Sequence, residues 1–502
     1  MSAEMGWSPD LGSLRHRLVA GLRNRLRIDA RALAAFRIAL GGLLVADLAG
    51  RSRDLVAFYT DRGVLPRSAH VATADPAHPS LHLLSGEAWV QAGLFLVAGV
   101  LAIALLVGYR TRIATVGSWL LLVSLHNRLP DVLNGGDVLL RLLVFWAMFL
   151  PLGARWAVDA THRDTSRSDV LSVAGVALLA QVVIVYLTNG AMKLSGDVWL
   201  SGDGLEYVFS LGQFIVGLGD VLAGYAGLLW PLDYLWLAMI TLSVLLVLLP
   251  GYWRVGFVSL FGAAHVGMFL TMQLGLFPFV SIASLLPFLP PVFWDDLASR
   301  FDGTRPVAAL RQTRERLAAV LPRVTVTDVP ASLARARAVA LTVVPLVFLV
   351  LVVLWNLQFL GYDEFVGTDV APDEAEWVMH LTRTDQYWNM FAPNPLSTDG
   401  WLVAPGVLQN GSRVDAFHGG ALTWDRPPDV SATYPNARWR KYAANLYGHT
   451  ADRQSFARYL CDRWDRHHDG RLRNVSVTYV AQPTRLDEPE PTERVHLASA
   501  RC

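Results

Sequence analysis

The apolar residues of this chain fall in runs of roughly 17–22, the length a helix needs to cross about 30 Å of hydrocarbon. In lipid every backbone polar group must be satisfied within the segment, so such runs leave little choice but helices. Nine candidate spans follow, at 32–50, 88–108, 113–126, 137–153, 170–188, 232–250, 255–274, 276–291 and 339–359. The third, fourth and eighth are short, as tilted, kinked or partly re-entrant helices would be. Residues 205–230 are apolar but broken by Gly and Asp, a pattern of re-entrant or interfacial helices. The 502 residues are 53% hydrophobic and only 17% charged, where soluble domains run nearer a quarter. The pattern predicts an all-α polytopic membrane bundle of eight or nine transmembrane helices. No cleavage site ends the first run, which reads as a membrane helix and not as a signal peptide.

Arginine sets the orientation. It is concentrated at Arg15, Arg17, Arg23, Arg25, Arg27 and Arg31, in "GYRTR" (108–112), in "ARWAVDATHRDTSRSD" (154–169), and in a linker with Arg300, Arg305, Arg311, Arg314, Arg316, Arg323, Arg335 and Arg337. Cytoplasmic loops collect such charge, and an inside N-terminus puts all four regions inside. The chain then divides into a basic cytoplasmic segment (1–31), a transmembrane domain (32–295), a cytoplasmic Arg-rich linker (296–338), a last span (339–360) and an extracytoplasmic tail (361–502). The tail is Trp-rich and punctuated by Pro. "WLVAPGVLQNGSRVDAF" (401–417) reads as two strands about an Asn-Gly turn. "ARWRKYAANLYG" and "RQSFARYLCDRWDRHHDG" read as helices closed by Gly, and "RNVSVTYVAQP" as a strand. A small α+β domain is expected. The two cysteines, Cys461 and Cys502, are too few for a metal site, but an external tail permits one disulfide between them. A net charge of +1 speaks against a nucleic-acid partner and leaves the lipid bilayer as the expected surroundings.

This topology brings several polar stretches to one side. They are "FYTDRGVLPR" (58–67), "LHNRLPDVLNGGD" (125–137) and "TNGAMKLSGDVWLSGDG" (188–204). Ionisable groups at membrane depth are costly and usually face a polar cavity. Lys193, Asp137, Arg141, His126 and Asp61 are therefore candidates for one outward-facing pocket, with an Asp137–Arg141 pair expected from their i, i+4 spacing. Asp47 lies near the outer end of the first span. The plainer readings are local. His126 caps or packs at a helix end, Asp61 with Gly63 forms a turn, and Asn134-Gly135-Gly136-Asp137 is a turn followed by an N-cap. His265 bridges helices by a hydrogen bond. Trp388, Phe391 and Pro393 pack the tail onto the membrane part. Lys193 is one of only two lysines, the other being Lys441. An interfacial snorkeller would serve as well with arginine. A partly buried lysine can lose its proton and arginine cannot, so a base is the sharper reading. Asp197, Asp203 or Glu206 would instead keep Lys193 charged.

"FYTDRGVLP", "LHNRLPDVLNGGD" with "FWAMFLPLG", and "NGAMKLSGDVWLSGDG" resemble the HTTM (horizontally transferred transmembrane) domain over roughly residues 28–295. That domain is related to the membrane part of vitamin K-dependent γ-glutamyl carboxylases. The tail, with "YWNMFAPNP" and "YPNARWRKY", resembles the C-terminal extension of actinobacterial HTTM proteins. The resemblance implies a bacterial plasma-membrane protein, a reduced vitamin K-like quinone as cofactor, and Lys193 as the base that deprotonates it. Where the carboxylases carry Asn-Asn-His this chain reads Asn134-Gly135-Gly136, and their propeptide- and glutamate-binding region has no counterpart. Both departures argue against protein γ-carboxylation.

Three functions are compatible with these observations. One is a membrane enzyme using a quinol or lipid-like cosubstrate at the outer leaflet, with carboxylase-like lyase or ligase chemistry at Lys193. Another is a non-enzymatic maturation or export partner that holds a secreted peptide. The third is a redox protein binding haem or quinone through His126 and His265, with Asn134 beside them.

Overall fold

The computed structural model describes residues 11–73, 79–162, 168–322, 330–366, 369–448, 452–486 and 490–502. Residues 163–167 of the basic loop at 154–169, Arg323 of the linker and residues 487–489 of the charged stretch before the C-terminus lie outside them. The main helices of the first part are α1 (Ala30–Ser52), α2 (Ala88–Val107), α3 (Thr111–Arg128), α4 (Gly135–Ala147), α5 (Val173–Leu194), α6 (Ala226–Thr241), α7 (Gly251–Thr271), α8 (Phe277–Leu285) and α9 (Ala331–Phe359). Among the described residues, α1, α2, α5, α7 and α9 are long and apolar enough to cross a membrane. A sixth span is obtained if α8 with its following turn and the helix Pro291–Phe301 count as one, although they meet at 101°. The expected spans over α3, α4, α6 and α8 are thus shorter or more polar than a full crossing. α4 has 13 residues and α6 has 16. The short span expected at 276–291 is interrupted at Pro287, Pro290 and Pro291, where the backbone lacks the N–H donors a helix interior needs. The apolar stretch after residue 204 forms the short helices Gly204–Ser210 and Leu218–Ala223.

Contacts gather at two opposite ends of this bundle. At one, Ile28–Asp29 pairs with Asp169–Val170 as a two-residue ladder. Asp29 caps α1 and pairs with Arg31, which also reaches Asp295. Arg37 donates to the Trp156 carbonyl, Asp159 accepts from the first turn of α3, and Tyr109 reaches the Pro322 carbonyl. Between the ends α1 and α2 touch through their backbones. A Cβ on Gly41 would lie 2.6 Å from Leu106 Cα, so only the hydrogen side chain permits this approach.

At the other end sits the C-terminal domain. Its strands are β1 (Thr398–Val403), β2 (Pro405–Leu408), β3 (Arg413–Asp415), β4 (Leu472–Pro483) and β5 (Glu493–Arg501). All pair antiparallel. Long β4 is central, with β1 and β2 end to end along one side and β5 along the other, while β3 pairs with β2 around the Asn410-Gly411 turn. The helices α10 (Ala437–Gly448) and α11 (Arg453–His467) complete the expected α+β arrangement. Strand β5 was not anticipated, because its sequence follows a charged stretch. Cys461 of α11 is disulfide-bonded to Cys502 with Cα atoms 5.4 Å apart. The domain does not stand off the bundle. Its core is continuous with Phe58, Tyr59, Phe95 and Leu125, and the Trp439 ring of α10 packs tilted against Phe58, with centroids 4.6 Å apart.

Candidate functional site

Two polar clusters lie where the domain meets the helix ends. The first is built around Asp137. Asn134 caps α4 by accepting from the Gly136 and Asp137 amides, and Asp137 accepts from the Asn134 amide at 2.9 Å, a reciprocal capping box. The cap fixes the Asp137 carboxylate, whose oxygens also take Arg51 at 2.7 Å and Arg438 at 3.0 and 3.2 Å. Asp47, one turn before Arg51 on α1, binds the same two cations. Tyr59 accepts from Arg51 at 2.8 Å. Two guanidiniums thus face two carboxylates, all but Arg438 nearly excluded from water. Burial and Arg51 act to lower the Arg438 pKa, and the Asp137 and Asp47 carboxylates outweigh them and raise it. The arrangement is held because each buried charge has an opposite partner and aligned donors.

The expected Asp137–Arg141 pair is not formed. Asp137 turns instead toward Arg51 and Arg438, which supply three charge-assisted hydrogen bonds that one exposed-type helix pair does not match. Arg141 faces His126 Nδ1 at 3.4 Å, and Arg51 faces His126 Nε2 at 3.2 Å. A neutral imidazole offers one acceptor, so it satisfies one of the two cations. With a guanidinium against each nitrogen, His126 has no face left for a haem iron. Asp61 lies apart from this cluster. Its carboxylate pairs with Arg67 at 2.7 Å on a partly exposed loop, and those hydrogen bonds hold it below the usual carboxylate range. Asn134, considered for cofactor binding, uses its oxygen on the helix cap. His265 lies on α7, with Nδ1 2.8 Å from the Phe261 carbonyl, and is wholly buried beside Tyr186 and Trp236. It is in neither cluster.

Lys193 anchors the second cluster and does not snorkel; it is 2% exposed. Its ammonium donates to the Phe391 carbonyl at 2.9 Å and sits 3.1 Å from the centre of the Trp199 ring. Trp199 Nε1 donates to the same carbonyl at 2.8 Å. One turn earlier, Asn189 Nδ2 donates to the Trp388 and Met390 carbonyls at 2.8 and 3.0 Å. Farther along, the Val198 amide donates to the Asn394 side chain. Gly196 lets the strap 388–394 lie flush, since a Cβ there would overlap the Pro393 carbonyl oxygen. A compact ammonium fits beneath an indole and against a carbonyl where the wider guanidinium fork does not. Asp197, Asp203 and Glu206 do not pair with Lys193. The carboxylate that feels its charge is Asp233, fully buried on α6, with one oxygen on the Gly204 amide and the other without a partner.

Lys193, Asp137, Arg141, His126 and Asp61 therefore do not line one chamber. Asp137, His126 and Arg141 come together; Lys193 and Asp61 are elsewhere. Sequence reasoning missed Arg51, Arg438 and Asp233. Arg51 was signalled by its i+4 distance from Asp47, and Asp233 by being a carboxylate within an apolar run. Arg438 is 301 residues from Asp137 and carried no signal. The cavity beside His265, lined also by Asn189, Tyr186 and Met390, and the one between Asp47 and His82 each measure about 20 Å³, room for one water.

Residues 25–294 match the family model of the HTTM domain. No curated protein and no solved structure matches the chain.

Proposed function

The chain belongs to the HTTM domain family, and on that premise we propose a multi-pass plasma-membrane protein that binds an extended peptide backbone at its outer face and does no chemistry on it. The N-terminus is cytoplasmic and the domain after residue 360 is outside. Arginine distribution supports this sidedness. So does the gathering of residues 25–31, 109–111, 155–162, 168–170 and 291–295 at one end of the bundle, away from the domain. Nine passages between the ends fit those contacts, with α4 enclosed by the protein almost throughout and α6 presenting Leu228, Trp230 and Leu235 on its outer surface.

One observation carries the binding function. Lys193, Asn189 and Trp199, all in the stretch that resembles the family motif, aim their donors at main-chain carbonyls of 388–391. Recognition through carbonyls depends little on side-chain identity, as holding a secreted peptide requires. In this chain the occupant is its own strap. The cavity beside Asn189 and Met390 measures about 20 Å³, room for one water and not for a quinone ring, and no step is assigned to one.

A second function, with Lys193 as a base, is favoured by one fact: no carboxylate lies within salt-bridge distance of its ammonium among the described residues. Comparing Lys193→Arg with Lys193→Met separates the two. For a docking lysine both variants loosen the strap, seen as faster proteolysis within 385–395 of the full-length protein in nanodiscs. If Lys193→Arg leaves the strap as protected as the wild type, docking is not what this position requires of lysine, and the binding function is wrong.

A further inference from the structure

We propose that Arg141 holds a small carboxylate anion bound from outside the chain. Arg141 is 2% exposed. Its nearest partners are His126 Nδ1 at 3.4 Å and the Asp385 carbonyl at 3.5 Å, both at the outer limit of a hydrogen bond. Its Nε has no partner at all. No carboxylate lies within salt-bridge distance of it among the described residues. A buried cation left in this state is strongly unfavourable, which is why buried arginines are ordinarily paired.

Asp385 is the internal carboxylate whose charge Arg141 feels most, and no internal carboxylate among the described residues comes within salt-bridge distance of that arginine. Asp47 and Asp137 are both committed to Arg51 and Arg438. Asp385 faces Arg383 at 4.0 Å. Counting these seven groups gives four cations (Arg51, Arg141, Arg383, Arg438) against three carboxylates (Asp47, Asp137, Asp385), an excess of one positive charge. The missing partner is one monovalent anion. Its shape follows from which donors are open. The Nε and Nη2 groups of a guanidinium lie on one edge and match the two oxygens of a carboxylate. In Arg141 that edge carries only the weak contact to the Asp385 carbonyl. Arg383 Nε is also buried and without a partner, a further donor for the same anion. The free oxygen of Asp385 opposes it, so binding is weak and the anion exchanges freely.

The test uses full-length protein in nanodiscs, with sodium formate titrated against sodium methanesulfonate at constant ionic strength. Formate is expected to raise the thermal midpoint saturably, by about 3 °C or more. Chloride at the same concentration should give a smaller rise, because it cannot bridge two donors. Arg141→Gln should abolish the formate dependence. Should Arg141→Gln fail to fold, saturation-transfer NMR from wild-type protein to formate provides the reading, and acetate should displace the signal. A midpoint that follows ionic strength whatever the anion overturns the proposal, as does a formate effect that survives in Arg141→Gln. Absence of any formate effect, with Asp385→Asn alone destabilising the protein, would mean that Asp385 itself is the partner of Arg141 and would overturn it equally. None of these outcomes depends on what the strap at Lys193 binds.

Discussion

Replacing Arg438 by Met tests whether the buried charges fasten the C-terminal domain to the helix ends. Arg438 contacts Asp137 at 3.0 Å and also pairs with Asp47, and its side chain is 17% exposed. Without it, Arg51 alone faces two carboxylates, leaving one net negative charge out of water. Breaking such a pair costs about 3–5 kcal/mol, and the partial exposure argues for the lower end. A loss of about 3 kcal/mol corresponds to a roughly 150-fold change in the docking equilibrium. Hydrogen exchange of the α10 amides in nanodiscs reads this opening, and should accelerate about 100-fold where it is local. The compensating variant sharpens the test. Arg438→Met combined with Asp47→Asn leaves one cation and one carboxylate, so it should be less destabilised than the sum of the two single variants by about 1.5 kcal/mol or more. Acceleration below about threefold in Arg438→Met, or strict additivity in the double variant, would refute charge pairing as the fastening.

Other expectations follow from the same structure. Burial, only partly offset by a hydrogen bond to Gln91, lowers the His82 imidazole from 6.5 to about 4. The unfolded chain therefore takes up this proton first, and stability should fall as pH drops from about 6.5 to about 4, by at most about 3 kcal/mol. His82 seen by NMR to titrate near 6.5 in the folded protein would contradict this. Reducing Cys461–Cys502 opens a 41-residue separation, and chain entropy puts the loss at about 4 kcal/mol at most, read as a lower unfolding midpoint of the C-terminal domain under reducing conditions. Gly196→Val should expel the strap by collision with the Pro393 carbonyl, costing about 1–3 kcal/mol and exposing 388–394 to protease. An alkaline phosphatase fused after residue 502 should be active only if the domain is outside.

Length and hydropathy were enough to identify a helical membrane protein, because a segment without water to satisfy its amides has to satisfy them itself. The 437–448 and 453–467 helices were equally legible, since each depends on residues a few positions apart, whereas at 134–137 the expected turn before the cap is already helix and Asn134 itself is the cap. Span count was not. Whether α4 at 13 residues crosses lipid or is wrapped by neighbours depends on those neighbours and not on its own composition. The site divided along the same line. Lys193 stood out by rarity, yet its partner is the carbonyl of Phe391, an atom every residue possesses and no sequence pattern marks. Asp137 was expected to take the cation one turn away on its own helix. Folding offered Arg51 and Arg438 from elsewhere in the chain, better aligned on its oxygens, and the tertiary arrangement decided the pairing.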